Sequence, residues 1–156
     1  MRFHCGACPA LPHLVATRPI KEASMDSKDP HTHQKPIELL VCNTCRKGLD
    51  LREGDKRPGE ILFNALSATD LPDLVQIHGV NCISNCSQGC TIVLRGEGRW
   101  SYVYGNLDPD EHVETILDGV NKYLNAADGL VPWRERPEHF RKNCIARIPP
   151  LEAYHD

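Results

Sequence analysis

The chain has 156 residues, a length that fits one compact domain. Its formal net charge of −3 at pH 7 argues against a general nucleic-acid binder and against a polybasic membrane-surface protein. No stretch approaches the roughly 20 apolar residues that a membrane-spanning helix needs. The unusual feature is the presence of eight cysteines. Because no secretory signal is evident, they indicate metal or redox chemistry before structural disulfides, and we expect a cytoplasmic protein.

Residues 1–35 differ in composition from the rest of the chain. They hold four histidines and four prolines and show no periodic apolar pattern, so we expect a disordered N-terminal extension. The prolines also interrupt any apolar run that could serve as a secretory signal. Cys5 and Cys8 form a CxxC pair here, but no second pair stands nearby to complete a four-ligand site. We interpret the segment as a loose tail, or as sequence upstream of a true start at Met25.

Residues 36–128 form the predicted domain. A short apolar run at 37–41, rich in β-branched residues, predicts a buried strand. A loop rich in glycine and charge separates it from a helix predicted over 60–68, and residues 74–80 predict a second strand. Because the two strands are joined through a helix, we expect them to be parallel with a right-handed crossover.

Two more strands and a second helix follow. Residues 91–94 and 100–104 flank a turn with two glycines, which predicts an antiparallel hairpin. Asp108 and the proline after it predict the start of a helix that ends near Gly129. The predicted architecture is therefore α/β, with a mixed four-stranded sheet and two main helices. Residues 129–156, which are locally basic between Val131 and Pro150, form a C-terminal extension that packs on the domain or docks a partner.

Five cysteines of the predicted domain fall into two groups, each just past the end of one of the two parallel strands. The first group is a CxxC pair and the second is a CxxxCxxxC run. Their members are Cys42 and Cys45, and Cys82, Cys86 and Cys90. Neighbouring strand ends lie about 5 Å apart, so the two loops can close around one centre. Thiolates are soft, negatively charged ligands that suit iron–sulfur clusters and zinc.

Three kinds of site compete for these thiols: a 2Fe–2S cluster held by two thiolates from each loop, a zinc site, and a redox-active dithiol. Zinc favours paired short spacings, which the second group matches less well. A dithiol of the thioredoxin type follows a strand and precedes a helix directly, whereas a loop follows Cys45. The chain also lacks a phosphate loop and a nucleophile elbow, so we expect no enzyme. A zinc- or other metal-binding module, or a metallochaperone, is the alternative function.

Residues 38–125 resemble the thioredoxin-like 2Fe–2S ferredoxins and the related iron–sulfur subunit of bacterial respiratory complex I. The most specific part is Cys82-x3-Cys86 with its flanking strands. The first cysteine pair is more closely spaced than in those ferredoxins, and Gly89-Cys90 stands where they commonly carry Ala-Pro. The resemblance implies a thioredoxin-like ferredoxin fold and a 2Fe–2S cluster. The ligands that it implies are Cys42, Cys45, Cys82 and Cys86, with Cys90 as the first substitute.

Residues 40–151 are also similar to a family of small bacterial proteins known as predicted metal-binding proteins. The matching pieces are VCNTCR at 41–46, SNCSQGC at 84–90, GRWSY at 98–102 and VPWRERP at 131–137. The association of that family with cobalamin biosynthesis implies a link to cobalt handling. We expect a one-electron carrier or cluster-bearing accessory protein. Its expected partner is a redox protein or a metal-handling protein, with a homodimer as a further expectation and no membrane or nucleic acid.

Overall fold

The computed structural model describes residues 35–151, so the predictions about residues 1–34, including Cys5 and Cys8, lie outside it. The strands are β1 (Ile37–Cys42), β2 (Val75–Val80), β3 (Cys90–Gly96), β4 (Ser101–Leu107) and β5 (Cys144–Ile148). The helices are α1 (Pro58–Ser67), α2 (Val113–Asn125) and α3 (Glu138–Lys142), with short 3-10 turns at Cys86–Gln88 and Trp133–Glu135. Within this range no helix has both the length and the apolar character to span a bilayer.

These strands form a five-stranded sheet in the order β2-β1-β3-β4-β5. The first two strands are parallel, as predicted, and every other neighbouring pair is antiparallel. The α/β class and the mixed sheet are confirmed, but the prediction of four strands was wrong. The fifth strand comes from the C-terminal extension and pairs with the outer edge of β4. Its local sequence carries little strand pattern, because its extended conformation depends on that pairing.

The apolar core lies on one face of the sheet. Alternate residues of three central strands are almost fully buried there, namely Ile37, Leu39, Val41, Ile92, Leu94, Tyr102 and Tyr104. They alternate because successive side chains of a strand point to opposite faces. Leu62 and Leu66 of α1 and Ile116 and Val120 of α2 belong to the same buried cluster. Since α1 and α2 also contact each other, both helices cover this face.

The C-terminal segment folds back over α2 before it reaches the sheet. Phe140 of α3 stacks on Tyr104, with 3.9 Å between ring centroids. The same ring lies so close to Gly119 of α2 that a Cβ at this position would overlap it. The absence of a side chain at Gly119 therefore lets α3 pack tightly, and β5 then joins the sheet.

Helix α2 begins at Val113, four residues after Pro109, the predicted first helical residue. The Asp108 side chain accepts a hydrogen bond from the backbone N–H of Asp110 at 2.9 Å, so it closes a turn instead of capping the helix. The backbone N–H of Asp108 donates to Nδ1 of His112 at 3.0 Å, which holds this turn against the first helical residues. The helix-start signal is real, but the structure uses it for a turn ahead of the helix.

A buried arginine closes the end of the sheet where β3 passes into β4. Arg99 is 4% exposed, and its Nη1 donates to the carbonyl oxygens of Tyr123, Leu124 and Ala126 at 3.1, 3.0 and 2.7 Å. These carbonyls belong to the last turn of α2, where a cation also matches the partial negative charge of the helix end. Arg99 therefore ends α2 ahead of Gly129 and fixes the helix to the sheet.

Candidate metal centre

The parallel pair of strands brings both cysteine groups to one end of the sheet, called the cysteine end below. Cys42 is the last residue of β1 and pairs with Val80, the last residue of β2. The N–H of Asn43 donates to the carbonyl oxygen of Val80 at 3.0 Å. The Sγ atom of Cys42 lies 4.0 Å from the carbonyl oxygen of Asn81. The first group and the start of the second are therefore neighbours in space.

The first cysteine loop rests directly on the N-terminus of α1. The N–H of Gly59 donates to the carbonyl oxygen of Cys45 at 3.2 Å. A Cβ at Gly59 would overlap the carbonyl oxygen of Cys42, so the approach requires glycine. The loop that separates Cys45 from α1 along the chain does not separate them in space. The partial positive charge of the helix N-terminus therefore lies beside the first pair of thiols.

One cysteine in each loop accepts a hydrogen bond from the backbone N–H two residues later. The N–H of Lys47 donates to Sγ of Cys45 at 3.4 Å, and the N–H of Ser84 donates to Sγ of Cys82 at 3.2 Å. Lys47 and Ser84 both adopt left-handed backbone, with φ of 53° and 58°. This conformation is uncommon outside glycine and concentrates at functional sites. The two loops thus contain the same kind of turn. In each, a left-handed residue directs its N–H group at the sulfur atom of the cysteine two residues earlier.

The thiols of Cys82 and Cys86 are exposed and lie next to each other. The backbone N–H of Ser84 lowers the pKa of Cys82, and the hydroxyl group of the same serine adds to this effect. Partial desolvation raises the pKa of Cys86, and the negative charges of Cys82, Cys45 and Cys42 raise it further. The pKa of Cys86 therefore responds to thiols from both loops, so the four thiols lie close enough to interact electrostatically.

The fifth thiol, that of Cys90, is fully buried at the start of β3. Burial raises the pKa of Cys90 to about 12, and both the charge of Cys45 and a hydrogen bond with Cys45 act in the same direction. Cys45 is 1% exposed, and its S–H also donates to the carbonyl oxygen of Gly89 at 3.1 Å. Cys90 therefore lies beneath the first loop as a neutral thiol.

These thiols converge without forming a finished coordination site. Among residues 35–151, no group of three or more Cys, His, Asp or Glu side chains is arranged to hold a metal ion. The donor chemistry nevertheless suits an iron–sulfur cluster, because soft thiols from two loops already accept backbone N–H groups at sulfur. The buried Oδ1 atom of Asn43, between the two cysteines of the first loop, has no hydrogen-bond partner. The described residues thus bring thiol donors together without a formed coordination site.

An ion pair and a polar anchor flank the thiols. Lys47 pairs with Asp108, and this hydrogen bond raises the pKa of the lysine and lowers that of the aspartate. The Nδ2 atom of Asn85 donates to Oγ1 of Thr91 at 3.0 Å, which ties the second loop to the sheet. The sequence prediction missed the roles of Lys47 and Ser84, since neither is a glycine or asparagine that would mark a left-handed turn.

The structure also brings together two histidines that the sequence separates. The rings of His112 and His139 lie 4.1 Å apart between centroids. Nε2 of His139 lies 3.0 Å from the carbonyl oxygen of Gly105 and donates to it, while Nδ1 of His112 accepts the N–H of Asp108. One nitrogen of each ring is therefore engaged by backbone, and the pair does not offer the ligand arrangement of a metal site.

A family model, a named protein and two solved structures are similar to this chain. The model, described as protein of unknown function (DUF1636), matches residues 39–150. A Clostridium pasteurianum protein named "Ferredoxin, 2Fe-2S" is 31% identical over 85 residues, which cover 51% of this chain and 79% of that protein. A thioredoxin-like [2Fe-2S] ferredoxin structure from Aquifex aeolicus is 22% identical, with a TM-score of 0.45, over 75% of this chain and 97% of that one. A second structure, described as the wild-type thioredoxin-like [2Fe-2S] ferredoxin from Aquifex aeolicus at 1.5 Å resolution, is 21% identical, with a TM-score of 0.45, over 72% of this chain and 98% of that one.

The resemblance to 2Fe–2S ferredoxins predicted from the cysteine motifs is confirmed by this relationship. The link to cobalamin stays a prediction.

Proposed function

Because the chain belongs to the DUF1636 family and is related to 2Fe–2S ferredoxins, we propose that it binds one 2Fe–2S cluster and carries single electrons for a redox partner protein. The observation that carries this proposal is that both cysteine loops contain the same kind of turn. In each loop a left-handed residue directs its N–H at a cysteine sulfur, and both loops meet at one end of the sheet. Such hydrogen bonds stabilise thiolates that ligate iron.

Four thiols at the ends of the parallel strands would hold the cluster. They are Cys42, Cys45, Cys82 and Cys86. When bound, the cluster accepts and releases one electron. The N–H groups of Lys47 and Ser84 would stabilise the negative charge that reduction adds to the ligating sulfurs, and the N-terminus of α1 acts in the same sense. These residues therefore favour the reduced state.

The exposure of the second loop supports a carrier rather than an enzyme. Cys82 and Cys86 lie at the surface, so electrons would leave and enter without a partner having to penetrate the domain. The first loop stays buried against α1 and holds the other two thiols in place. A site that is half buried and half exposed suits exchange between two proteins that meet briefly.

Metal analysis of protein purified without oxygen tests the proposal. We expect brown protein with about two irons and two labile sulfides per chain, the composition of a 2Fe–2S cluster. Cys86→Ser should lose most of the iron and the visible absorbance, because it removes the thiol that interacts with the cysteines of both loops. Cys144→Ser is the matched control, since it changes a half-buried thiol of β5. Colourless protein with about one zinc per chain would contradict the proposal and support the alternative function.

A further inference from the structure

The loop between the first cysteine pair and α1, residues 46–57, is called the basic loop below. Five of its twelve residues are basic and three are acidic. In the rest of the described chain the balance is reversed, with thirteen acidic and nine basic residues. Ten residues of the basic loop are exposed, whereas Cys45 before it and Pro58 after it are buried. The basic loop is therefore a positive surface on a domain that is otherwise negative.

Both ends of the basic loop are fastened to the first cysteine pair. At its start, the N–H of Lys47 donates to Sγ of Cys45 at 3.4 Å. At its end, Nη1 of Arg57 donates to the carbonyl oxygen of Thr44, also at 3.4 Å. Compact surface loops whose ends lie close together frequently carry function. A partner that contacts the basic loop is therefore brought next to the proposed ligands.

Three cations of the basic loop are exposed and have no salt-bridge partner within residues 35–151. They are Arg46, Arg52 and Lys56. Lys47 differs from them, because it pairs with Asp108. Two of the three are arginines, a residue type that is enriched at protein interfaces. Their charges are therefore available to a molecule outside the described chain.

Turns hold the two arginines of this set in the basic loop. The N–H of Leu49 donates to the carbonyl oxygen of Arg46 at 2.9 Å, and the N–H of Asp55 donates to that of Arg52 at 3.2 Å. The side chain of Asp55 in turn accepts the N–H of Arg52 at 2.8 Å. Leu49 is 53% exposed and adds an apolar contact beside the charges. A loop whose backbone is already held loses less entropy when it binds.

We propose that the basic loop is the surface on which the redox partner docks, and that this partner is a protein with an acidic surface around its own redox centre. This inference rests on the proposed function. One electron would pass from the reduced partner to the oxidised cluster, so the partner is oxidised as the cluster is reduced, and no bond or proton moves. Surfaces of opposite charge speed and orient such an encounter more than they tighten it.

A gold surface coated with a carboxylate-terminated monolayer serves as the acidic probe, and a hydroxyl-terminated monolayer is the reference. A quartz crystal microbalance measures adsorbed mass, and cyclic voltammetry measures the current from the cluster. Wild-type protein should adsorb and exchange electrons on the carboxylate surface alone. Both signals should fall as ionic strength rises from about 0.01 M to about 0.15 M, because salt screens exposed charges.

The test variant replaces the three unpaired cations of the basic loop by glutamine, as Arg46→Gln, Arg52→Gln and Lys56→Gln together. It should keep the iron and the circular dichroism spectrum of the wild type, because these side chains are exposed. Its adsorption on the carboxylate surface should be about tenfold weaker, since each exposed charge pair makes a small contribution to binding. Unchanged adsorption and current in this variant would overturn the inference.

The matched control removes the same charge from the C-terminal extension, as Arg134→Gln, Arg141→Gln and Lys142→Gln together. It should behave as the wild type. Equal weakening in both triple variants would show that adsorption follows net charge alone, which overturns the inference. Tighter adsorption of the wild type on a phosphate-terminated monolayer would overturn the choice of a protein partner. Absence of iron would overturn the proposed function, and adsorbed mass, which needs no cluster, would still decide whether the basic loop binds acidic groups.

Discussion

The two ends of the sheet are completed in different ways. At one end, the buried charge of Arg99 is matched by three carbonyl groups of α2, all belonging to the same chain. At the cysteine end, the thiols converge without a finished site, and within the described range the buried Oδ1 of Asn43 lacks a partner. At the Arg99 end, groups of the protein itself satisfy the buried charge and fix α2 to the sheet. The cysteine end brings thiol donors together without completing their coordination among the described residues.

Backbone strain follows the same division. The non-glycine residues with positive φ in the described chain are Lys47, Ser84 and Asn106, and all three lie at the cysteine end. Asn106 is in close contact with the second loop, since a Cβ at Gly89 would lie 2.9 Å from its Cα. Left-handed residues of this kind cost about 1–3 kcal/mol each. In the described chain, strained non-glycine backbone therefore lies at the cysteine end, where sulfur atoms are held, and not at the Arg99 end.

The largest effect should come from Arg99. Arg99→Met should lower the free energy of unfolding by about 3 kcal/mol, because three carbonyl groups of α2 lose a charged donor. Arg95→Met removes an arginine that is half exposed and pairs with Glu38, so it should cost less than about 1 kcal/mol. Urea unfolding followed by circular dichroism measures both. Equal losses of unfolding free energy in the two variants would show that the buried Arg99 contributes no more to stability than the half-exposed Arg95. That result would contradict the comparison of the two ends of the sheet.

An intermediate effect should come from Gly59, which tests the cysteine end. In Gly59→Ala the new methyl group meets the carbonyl oxygen of Cys42, so we expect a loss of about 1–3 kcal/mol and a large loss of bound iron. Gly54→Ala is the control, because nothing lies near its Cβ and only its left-handed backbone is strained, by about 1 kcal/mol. Iron content should fall in the first variant alone. Full iron loading of Gly59→Ala would contradict the packing of α1 against the loop.

The smallest effect should be a pH dependence at His139, which bonds β4 near the cysteine end. Burial lowers the pKa of His139, and the charge of His112 adds to this effect. The neutral form is therefore favoured in the folded protein, and the stability that it contributes is lost as pH falls through about 6.5, the pKa of the unfolded chain. Glu111, Glu138 and Lys142 also face this histidine pair. We expect a loss of less than about 1 kcal/mol between about pH 7.5 and 5.5.

His139→Gln should remove most of this pH dependence, as measured by urea unfolding at each pH. A variant with the full dependence of the wild type would place the responsible group elsewhere.

Position along the chain was enough to predict where the thiols gather. Cys42 follows a run of β-branched and apolar residues, and the strand at 75–80 is separated from it by a helix, so parallel pairing and a shared end followed from chain connectivity. The same reasoning could not find β5. Cys144–Ile148 is short, carries an arginine and is half exposed, and its strand conformation depends on its partner β4.

How the thiols are held could not be predicted from spacing. The contact of the Cys45 thiol with the carbonyl oxygen of Gly89 depends on the start of β3, where Cys90 lies opposite Leu107, and on the left-handed turn at Lys47. A lysine and a serine give no sign of left-handed backbone, because that conformation is normally marked by glycine or asparagine. The sequence therefore named the candidate ligands but could not show which backbone groups contact their sulfur atoms.

The Arg99 end also determines how the protein can be attached to a surface. Lys35, whose carbonyl oxygen accepts a hydrogen bond from Arg99 at 3.4 Å, lies at this end, and Leu151 borders a groove there with Glu38 and Gly96. A tether attached at position 151 would hold the sulfur atoms about 20 Å from the support, the length of a six-residue strand. On an electrode, such a film would exchange current through a dissolved mediator, while its thiols remained open to a partner in solution.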